Sequence, residues 1–148
     1  MDVTIPRKVS DSTVGRGSPH EYESYYFAVA VSSGNPVVID TATTTAKGFT
    51  FGAGGAGKVS TTAGDERVVG VADHDIVAGT YDRVVKEGVV LVLYLAGQLA
   101  TAGLYVASST TAGKAKTAAN TDINVWGQTI EAADATTTNY VKCFVHCG

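Results

Sequence analysis

Short apolar segments separated by polar turns run through most of the chain. Segments rich in Val, Tyr and Phe alternate with clusters of Gly, Asp, Thr and Ser, a pattern typical of β-strands joined by short turns. Most segments are close to the usual strand length of about five to six residues. The pattern predicts strands at Tyr25–Val31, Pro36–Asp40, Arg67–Ala72, Asp82–Lys86, Gly88–Leu95, Gly103–Ala107, Asn124–Ile130 and Asn139–His146.

Helical patterning is almost absent from the chain. No segment has an apolar stripe at a spacing of about 3.6 residues over three turns with a capping residue at its start, and residues that favour helices are scarce. We expect at most a single helical turn, at 42–47 or at 73–78. The sequence therefore predicts an all-β fold, a small β-barrel or β-sandwich of the β-tulip type, with an extended N-terminal arm and little or no helix.

Two parts of the chain repeat the same plan. Each has a strand with an early Gly, an acidic turn that ends in small residues, and a second strand that starts near a Tyr; a further strand precedes each copy. Two copies of such a plan favour closure into a small barrel or sandwich. The first copy comprises residues 34–39, 69–73 and 78–86, and the second comprises residues 102–107, 126–131 and 136–143.

Residues 1–21 differ from the rest of the chain. They are rich in Pro, Gly, Ser and charged residues and have few large apolar side chains, so burial cannot offset the entropy lost on ordering. This segment is either a frayed terminus or an arm that becomes ordered on a partner. An aromatic cluster at residues 22–27 follows directly, so we place the boundary at residue 21 and predict a single β-rich domain over residues 22–148.

The composition predicts a nearly neutral surface. Charged residues make up 17% of the 148 residues, against about 25% in a typical soluble protein. A net charge of -3 argues against binding of nucleic acid, which needs clustered Lys and Arg. No apolar run reaches the roughly 18 residues of a membrane span, and the first residues lack the apolar core of a signal peptide. We therefore expect neither a nucleic acid nor a membrane as partner.

One motif has the spacing of a nucleotide-binding loop. Residues 52–57 match G-x-G-x-x-G, and Lys58 follows as it would in a phosphate-binding loop. Such a loop must open a helix whose first N–H groups hold the phosphate. The residues that follow, Val59–Asp65, do not favour a helix. We therefore predict a surface loop and no nucleotide cofactor.

Two polar clusters contain residue types that can carry out chemistry. Cys143, His146 and Cys147 are residue types that zinc prefers, but a structural zinc site needs four ligands and no second pair is evident. Residues 73–75 place a His between two Asp on a predicted turn, with no nucleophile in a recognisable setting. We interpret Cys143 as a small buried apolar residue, Cys147 as a thiol at the chain end and 73–75 as a solvated turn. No metal, cofactor or catalytic residue is predicted, so we do not expect an enzyme.

A recurring order of glycines and valines runs through the second half of the chain. It passes through Arg67–Ala72, Ala78–Thr80, Val84–Val90, Ala102–Val106, Ala112–Ala115, Trp126-Gly127 and Val141–Val145. This order resembles that of the capsid cement, or head decoration, proteins of tailed bacteriophages. The resemblance covers about residues 25–147. It departs from the family's pattern at a Thr- and Gly-rich insertion, Thr41–Gly64, and at Gln128-Thr129.

The resemblance implies a non-enzymatic virion protein on the outer surface of the expanded phage head, assembled in the host cytoplasm. A homotrimer at three-fold and quasi-three-fold positions would clamp neighbouring subunits of the major capsid protein. We expect the arm to pair with a strand edge of a capsid subunit through main-chain hydrogen bonds, and the aromatic cluster to anchor its root. The predicted partner-binding residues are Thr4, Ile5, Pro6, Arg7, Lys8, Val9, Val14, Arg16, Tyr22 and Tyr25.

Two other classes of function stay open at this point. A virion adhesion or receptor-binding module would expose aromatic and polar side chains that converge at one tip. An enzyme would need a cleft with a base, a nucleophile or a metal, and the spacing of the residues indicates none of these.

Overall fold

Nine strands and one short helix make up the part of the chain that the structure describes. The structure is a computed structural model and describes residues 20–47, 55–60, 67–96, 101–132 and 139–147. The strands and the helix are β1 (Glu21–Phe27), β2 (Pro36–Ile39), α1 (Thr41–Lys47), β3 (Ala56–Val59), β4 (Val68–Val71), β5 (Thr80–Tyr94), β6 (Tyr105–Ser108), β7 (Ala115–Thr117), β8 (Gly127–Thr129) and β9 (Asn139–His146). Among these residues, no helix has the length and apolar character needed to cross a membrane.

The strands form one continuous sheet that closes on itself twice. In the first closure, ring one, the order is β1, β3, β2, β4 and the first half of β5, which pairs back to β1. In the second, ring two, the order is the second half of β5, β7, β6, β8 and β9, which pairs back to β5. Each ring has one parallel pairing, β1 with β3 and β5 with β7. The prediction of an all-β barrel is therefore confirmed.

The 15-residue strand β5 is shared by the two rings. Its first half pairs with β1 and its second half with β9, and Glu87 pairs with both. Gly88 follows at once with a φ of +136°, a conformation that residues with side chains rarely adopt. The sequence pattern predicted two strands here, ending at Lys86 and beginning at Gly88. That prediction is wrong, because the glycine lies inside one continuous strand.

Ring two repeats the topology of ring one strand by strand. The five strands of ring one correspond in chain order to the second half of β5, β6, β7, β8 and β9, with equivalent partners and directions. The register agrees as well, because Val37 pairs with Gly70 in ring one as Val106 pairs with Gly127 in ring two. The two-copy plan of the sequence therefore extends to all five strands of each ring.

The turns before β2 and β6 show the same repeat. Gly34 and Gly103 both have a φ of +90°. Their N–H groups donate to the carbonyl groups of Ala72 and Thr129, which occupy equivalent places just after β4 and at the end of β8. The sequence pattern aligned Gly34 with Ala102, and the hydrogen bonds shift this match by one residue.

Each ring has its own apolar core. The core of ring one consists of Tyr25, Phe27, Val31, Val37, Ala72, Ile76 and Val84. The core of ring two includes Val90, Val92, Tyr94, Val106, Ala115, Trp126, Val141, Cys143, Val145 and Cys147. Val71 and Val85 of ring one also belong to this second cluster. Since Val85 follows the inward-pointing Val84 in its strand, it points to the opposite face, so the outer face of ring one packs on ring two.

The prediction of a surface loop at the Gly-rich motif is wrong from residue 56 onward, and residues 52–54 lie outside the described part of the chain. Ala56 to Val59 form β3, which lies between β1 and β2. A Cβ at Gly57 would lie 2.9 Å from the ring of Phe27 and 3.1 Å from a methyl group of Val37. The missing side chain thus lets β3 fit against the core, which composition alone does not reveal. The three-residue strand β7 was also not predicted.

One of the two predicted helical turns is present. The helix α1 covers the expected turn at 42–47, and the N–H of Thr43 is capped by the side chain of Asp40. No helix forms at 73–78, because Ile76 pairs with Val31 in an isolated bridge and is buried in the core of ring one.

The proposed insertion at Thr41–Gly64 contains part of the barrel. In ring one the N–H of Asp40 donates to Ala56, as that of Ser109 donates to Lys114 in ring two. The additional residues of ring one therefore lie between Asp40 and Ala56, before β3, and the strand itself has its counterpart in β7.

Candidate functional site

The root of the predicted arm lies at the start of β1. Eight predicted partner-binding residues fall outside the described residues: Thr4, Ile5, Pro6, Arg7, Lys8, Val9, Val14 and Arg16. The other two, Tyr22 and Tyr25, lie on β1, which pairs with β5 along its whole length. The arm therefore joins the body at His20, beside the strand that the two rings share.

His20 holds the root against β5. Its Nε2 lies 2.7 Å from the carbonyl oxygen of Val89. Because a carbonyl oxygen can only accept, this nitrogen carries a proton and donates the hydrogen bond. The ring of His20 lies over Gly88, where a Cβ would come within 2.5 Å of Cδ2. It also meets the ring of Tyr22 edge-on, with centroids 5.8 Å apart. Any side chain at position 88 would collide with the ring of His20.

Tyr22 connects the root to the turn after β4. Its hydroxyl donates to Oδ2 of Asp73 at 3.1 Å, and the guanidinium of Arg83 lies 4.1 Å above its ring. Partial burial raises the pKa of Tyr22, and the hydrogen bond to Asp73 and the charge of Asp73 raise it further. Tyr22 is therefore a neutral donor that holds β1 to a neighbouring loop.

A histidine between two carboxylates extends this network. His74 Nδ1 lies 2.6 Å from Asp73 Oδ1, and its Nε2 lies 2.9 Å from Asp82 Oδ2. Hydrogen bonds with Asp73 and then with Asp82 raise the pKa of His74. His74 therefore contacts both Asp73 in its own turn and Asp82 on β5. Residues 73–75 were predicted as a solvated turn. The side chains of Asp73 and His74 instead join this turn to β1 and β5. Asp75 accepts a hydrogen bond from the N–H of Ser33.

Tyr25 has a different place from Tyr22. Its side chain is only 9% exposed and lies in the core of ring one. In the described structure it supports β1 from inside the barrel. The neighbouring Tyr26 meets Tyr81 of β5 edge-on at 5.2 Å. Of the two predicted partner-binding residues on β1, Tyr22 therefore lies nearer the surface.

A second surface feature lies on ring two and was not predicted. Tyr105 pairs with Gln128, Gln128 with Phe144, and Phe144 with Val89, so these four residues form one row across β6, β8, β9 and β5. We call them the outer row. A shallow groove of about 270 Å³ lies along part of it, beside His146. Tyr105 is 63% and Val89 is 40% exposed. The four residues are far apart in the chain, so no sequence spacing reveals them.

The two cysteines are free and buried. Burial raises the pKa of Cys143 and of Cys147 to about 12. Cys143 is thus a small buried residue as predicted. Cys147, interpreted as a thiol at the chain end, is also buried, because its N–H donates to the carbonyl of Lys86 and its side chain joins the core of ring two. In the described part of the chain, no group of three His, Cys, Asp or Glu could hold a metal ion.

Comparisons with known proteins relate this fold to a part of a phage particle. No protein-family model matches the chain, and no curated protein matches its sequence significantly. Among solved structures, the N base of head fiber gp8.5 of bacteriophage phi29 is similar, with a TM-score of 0.54 and 14% sequence identity. The match covers 86% of this chain and 94% of that chain. At this identity the similarity shows the fold, which this chain shares with the base of a phage head fiber.

Proposed function

We propose that this chain is a structural protein of a phage virion, a capsid decoration (cement) protein that binds the outer surface of the expanded head. The fold shared with a head-fiber base over nearly the whole of both chains is the observation that supports it most. The order of glycines and valines, which resembles that of cement proteins, supports the same class of particle.

In this proposal the arm binds the major capsid protein and the two rings form the exposed body. A segment that pairs with a strand edge gains affinity from main-chain hydrogen bonds and needs no pocket. The contacts of His20 with Val89 and of Tyr22 with Asp73 hold the root of the arm to the body. Force on the arm would thereby pass into β5, the strand common to both rings. Association into a homotrimer would multiply weak contacts through avidity.

The network around His74 supports a structural rather than an enzymatic role. Asp73 accepts hydrogen bonds from Tyr22 and His74, and His74 also contacts Asp82. These polar groups therefore join strands and turns to one another. We accordingly propose a protein that clamps capsid subunits and catalyses no reaction.

Deletion of residues 2–18 tests the role of the arm. We expect the shortened protein to keep its circular dichroism spectrum and to lose co-sedimentation with expanded phage heads. A subtler pair of variants is Ile5→Asp in the arm and Val29→Asp on the body, where Val29 is 65% exposed. The first should weaken binding to heads and the second should not. Unchanged binding after deletion of the arm would overturn this mode of attachment.

A virion adhesion module is the second candidate, and the groove beside the outer row favours it. Exposed aromatic and polar side chains meet there, Tyr105 with Gln128 and His146. Screening the protein and a Tyr105→Ala variant on a glycan array distinguishes the two functions. Glycan binding that is lost in the variant, together with no affinity for heads, would favour adhesion.

A further inference from the structure

The outer row of ring two has a counterpart in ring one. Because the registers of the two rings agree, Tyr105, Gln128 and Phe144 correspond to Pro36, Val71 and Val85. The fourth member, Val89, corresponds to Tyr22, since Val89 pairs with Phe144 as Tyr22 pairs with Val85. The chain thus contains the same four-strand row twice.

The two rows differ sharply in exposure. In ring one Pro36 is buried, Val71 and Val85 are fully buried at 0% exposure, and Tyr22 is partly buried. In ring two Tyr105 and Val89 are 63% and 40% exposed, Gln128 is exposed and Phe144 is half-buried. The equivalent surface is therefore covered in ring one and open in ring two.

Ring two is what covers the row of ring one. Val71 and Val85 belong to the apolar cluster that fills ring two, together with Val90 and Val145, and Tyr22 packs against that cluster. The fold therefore shows what this kind of row accepts, namely core apolar side chains of another unit with the same plan. A second copy of this chain could supply such a surface to the open row.

A second copy cannot repeat the internal contact by offering its ring one. The positions of ring one that correspond to Val90 and Val145 are Glu23 and Lys86, which form an ion pair at 3.9 Å. Both side chains are substantially exposed, at 47% and 39%. Covering the row with this charged pair would bury charge against apolar side chains, which is costly. The outer row of another copy carries no such charged pair and includes the exposed side chains of Tyr105 and Val89.

The charges beside the outer row allow like copies to approach. His146 lies 3.1 Å from Glu87 at one side, and Glu131 accepts from the backbone N–H of Lys142 at the other. Charges of both signs flank the row, so two identical faces are not forced apart by a field of one sign. Exposed Leu91 and Tyr140 continue the apolar surface along β5 and β9.

We propose that the outer row of ring two, Tyr105, Gln128, Phe144 and Val89, is the surface through which copies of this chain associate, with the outer rows of the copies meeting around their shared symmetry axis. This inference rests on the homo-oligomer of the proposed function and names its contact surface. It places the contact between copies on ring two, whose row is exposed. The exposed surface of ring one away from Val89 stays available for the capsid.

Light scattering coupled to size exclusion tests this with the full chain at about 50 μM. We expect the protein to run at a multiple of its 15.2 kDa mass, and Tyr105→Arg and Val89→Arg each to return it to the mass of one chain. The matched controls are Tyr81→Arg and Val77→Arg, at positions that are 67% and 68% exposed on ring one. Both controls should keep the wild-type mass, and circular dichroism verifies the fold of all four variants.

Three results would overturn the assignment. A wild-type protein of single-chain mass would do so, as would an oligomer that both row variants leave intact. Loss of the oligomer on deletion of residues 2–18, with the row variants unaffected, would instead make the arm the contact between copies. The proposed function is tested separately by binding to heads, so a monomer that still binds heads would refute this inference and leave the capsid role standing.

Discussion

At the scale of single residues, the attachment of the arm depends on a few contacts between distant parts of the chain. His20 reaches Val89, and Tyr22 reaches Asp73. The sequence indicated an aromatic anchor here but not its partners, because pairing of β1 with β5 alone brings residues 20–27 beside residues 80–89. Tyr25 shows the same limit, since only the closed ring reveals that its side chain points inward.

Replacement of His74 by Gln should make stability less dependent on pH. Asp73 and Asp82 raise the pKa of His74 in the folded protein above its unfolded value of about 6.5. The stabilisation is therefore complete below that value and is lost as the pH rises through the folded pKa. His74 is 41% exposed, so we expect an effect of at most about 1 kcal/mol. Thermal unfolding at several pH values between about 6 and 9 should show a smaller decline for the variant, and equal declines would contradict this account.

Substitution of Gly88 by Ala should cost more stability than substitution of Gly79 by Ala. Both glycines have positive φ, +136° and +78°, so both changes introduce backbone strain of about 1 kcal/mol or more. Only at Gly88 does the new Cβ also meet His20, whereas nothing lies within 4 Å at Gly79. Denaturant unfolding of the two variants gives the difference, and equal losses would show that the contact with His20 does not constrain β5.

At the scale of strands, the sequence indicated most elements that have alternating apolar residues and missed those that do not. The strands β2, β4, β6 and β9 follow their Val-rich segments. The strand β3 begins Ala56-Gly57, where small side chains are needed under Phe27 and Val37, and composition alone makes such a segment look like a loop. The double use of β5 was also missed, because a glycine normally signals a turn and here lies within a strand. The outer row needs the register of four strands, so it could not be predicted at all.

Exchange of one residue between the two rows tests their equivalence. Val71→Gln places in ring one the residue that ring two has at Gln128, but at a position with 0% exposure. An amide buried without partners should cost about 1–3 kcal/mol. Gln128→Val should leave the unfolding free energy within about 0.5 kcal/mol and strengthen self-association. Denaturant unfolding and light scattering measure both effects. Similar losses of unfolding free energy for the two variants would contradict a buried row in ring one and an exposed row in ring two.

At the scale of the whole molecule, two joined rings and an N-terminal arm would divide the work of the decoration protein that we propose. The predicted arm joins the start of β1 beside Gly88, ring one carries the network that holds its root, and ring two presents an open apolar row. The low charge and a repeat of three segments per copy were evident from the sequence. Their physical meaning follows from the fold, in which a neutral surface covers two copies of one plan and only one copy has its row buried.

Electron cryomicroscopy of expanded phage heads incubated with the purified protein tests the central claim most directly. The account predicts added density of two-ring shape on the outer surface at three-fold and quasi-three-fold positions, with density for the arm reaching across neighbouring capsid subunits. Heads that stay bare at saturating protein concentration, while the protein itself is folded, would contradict it.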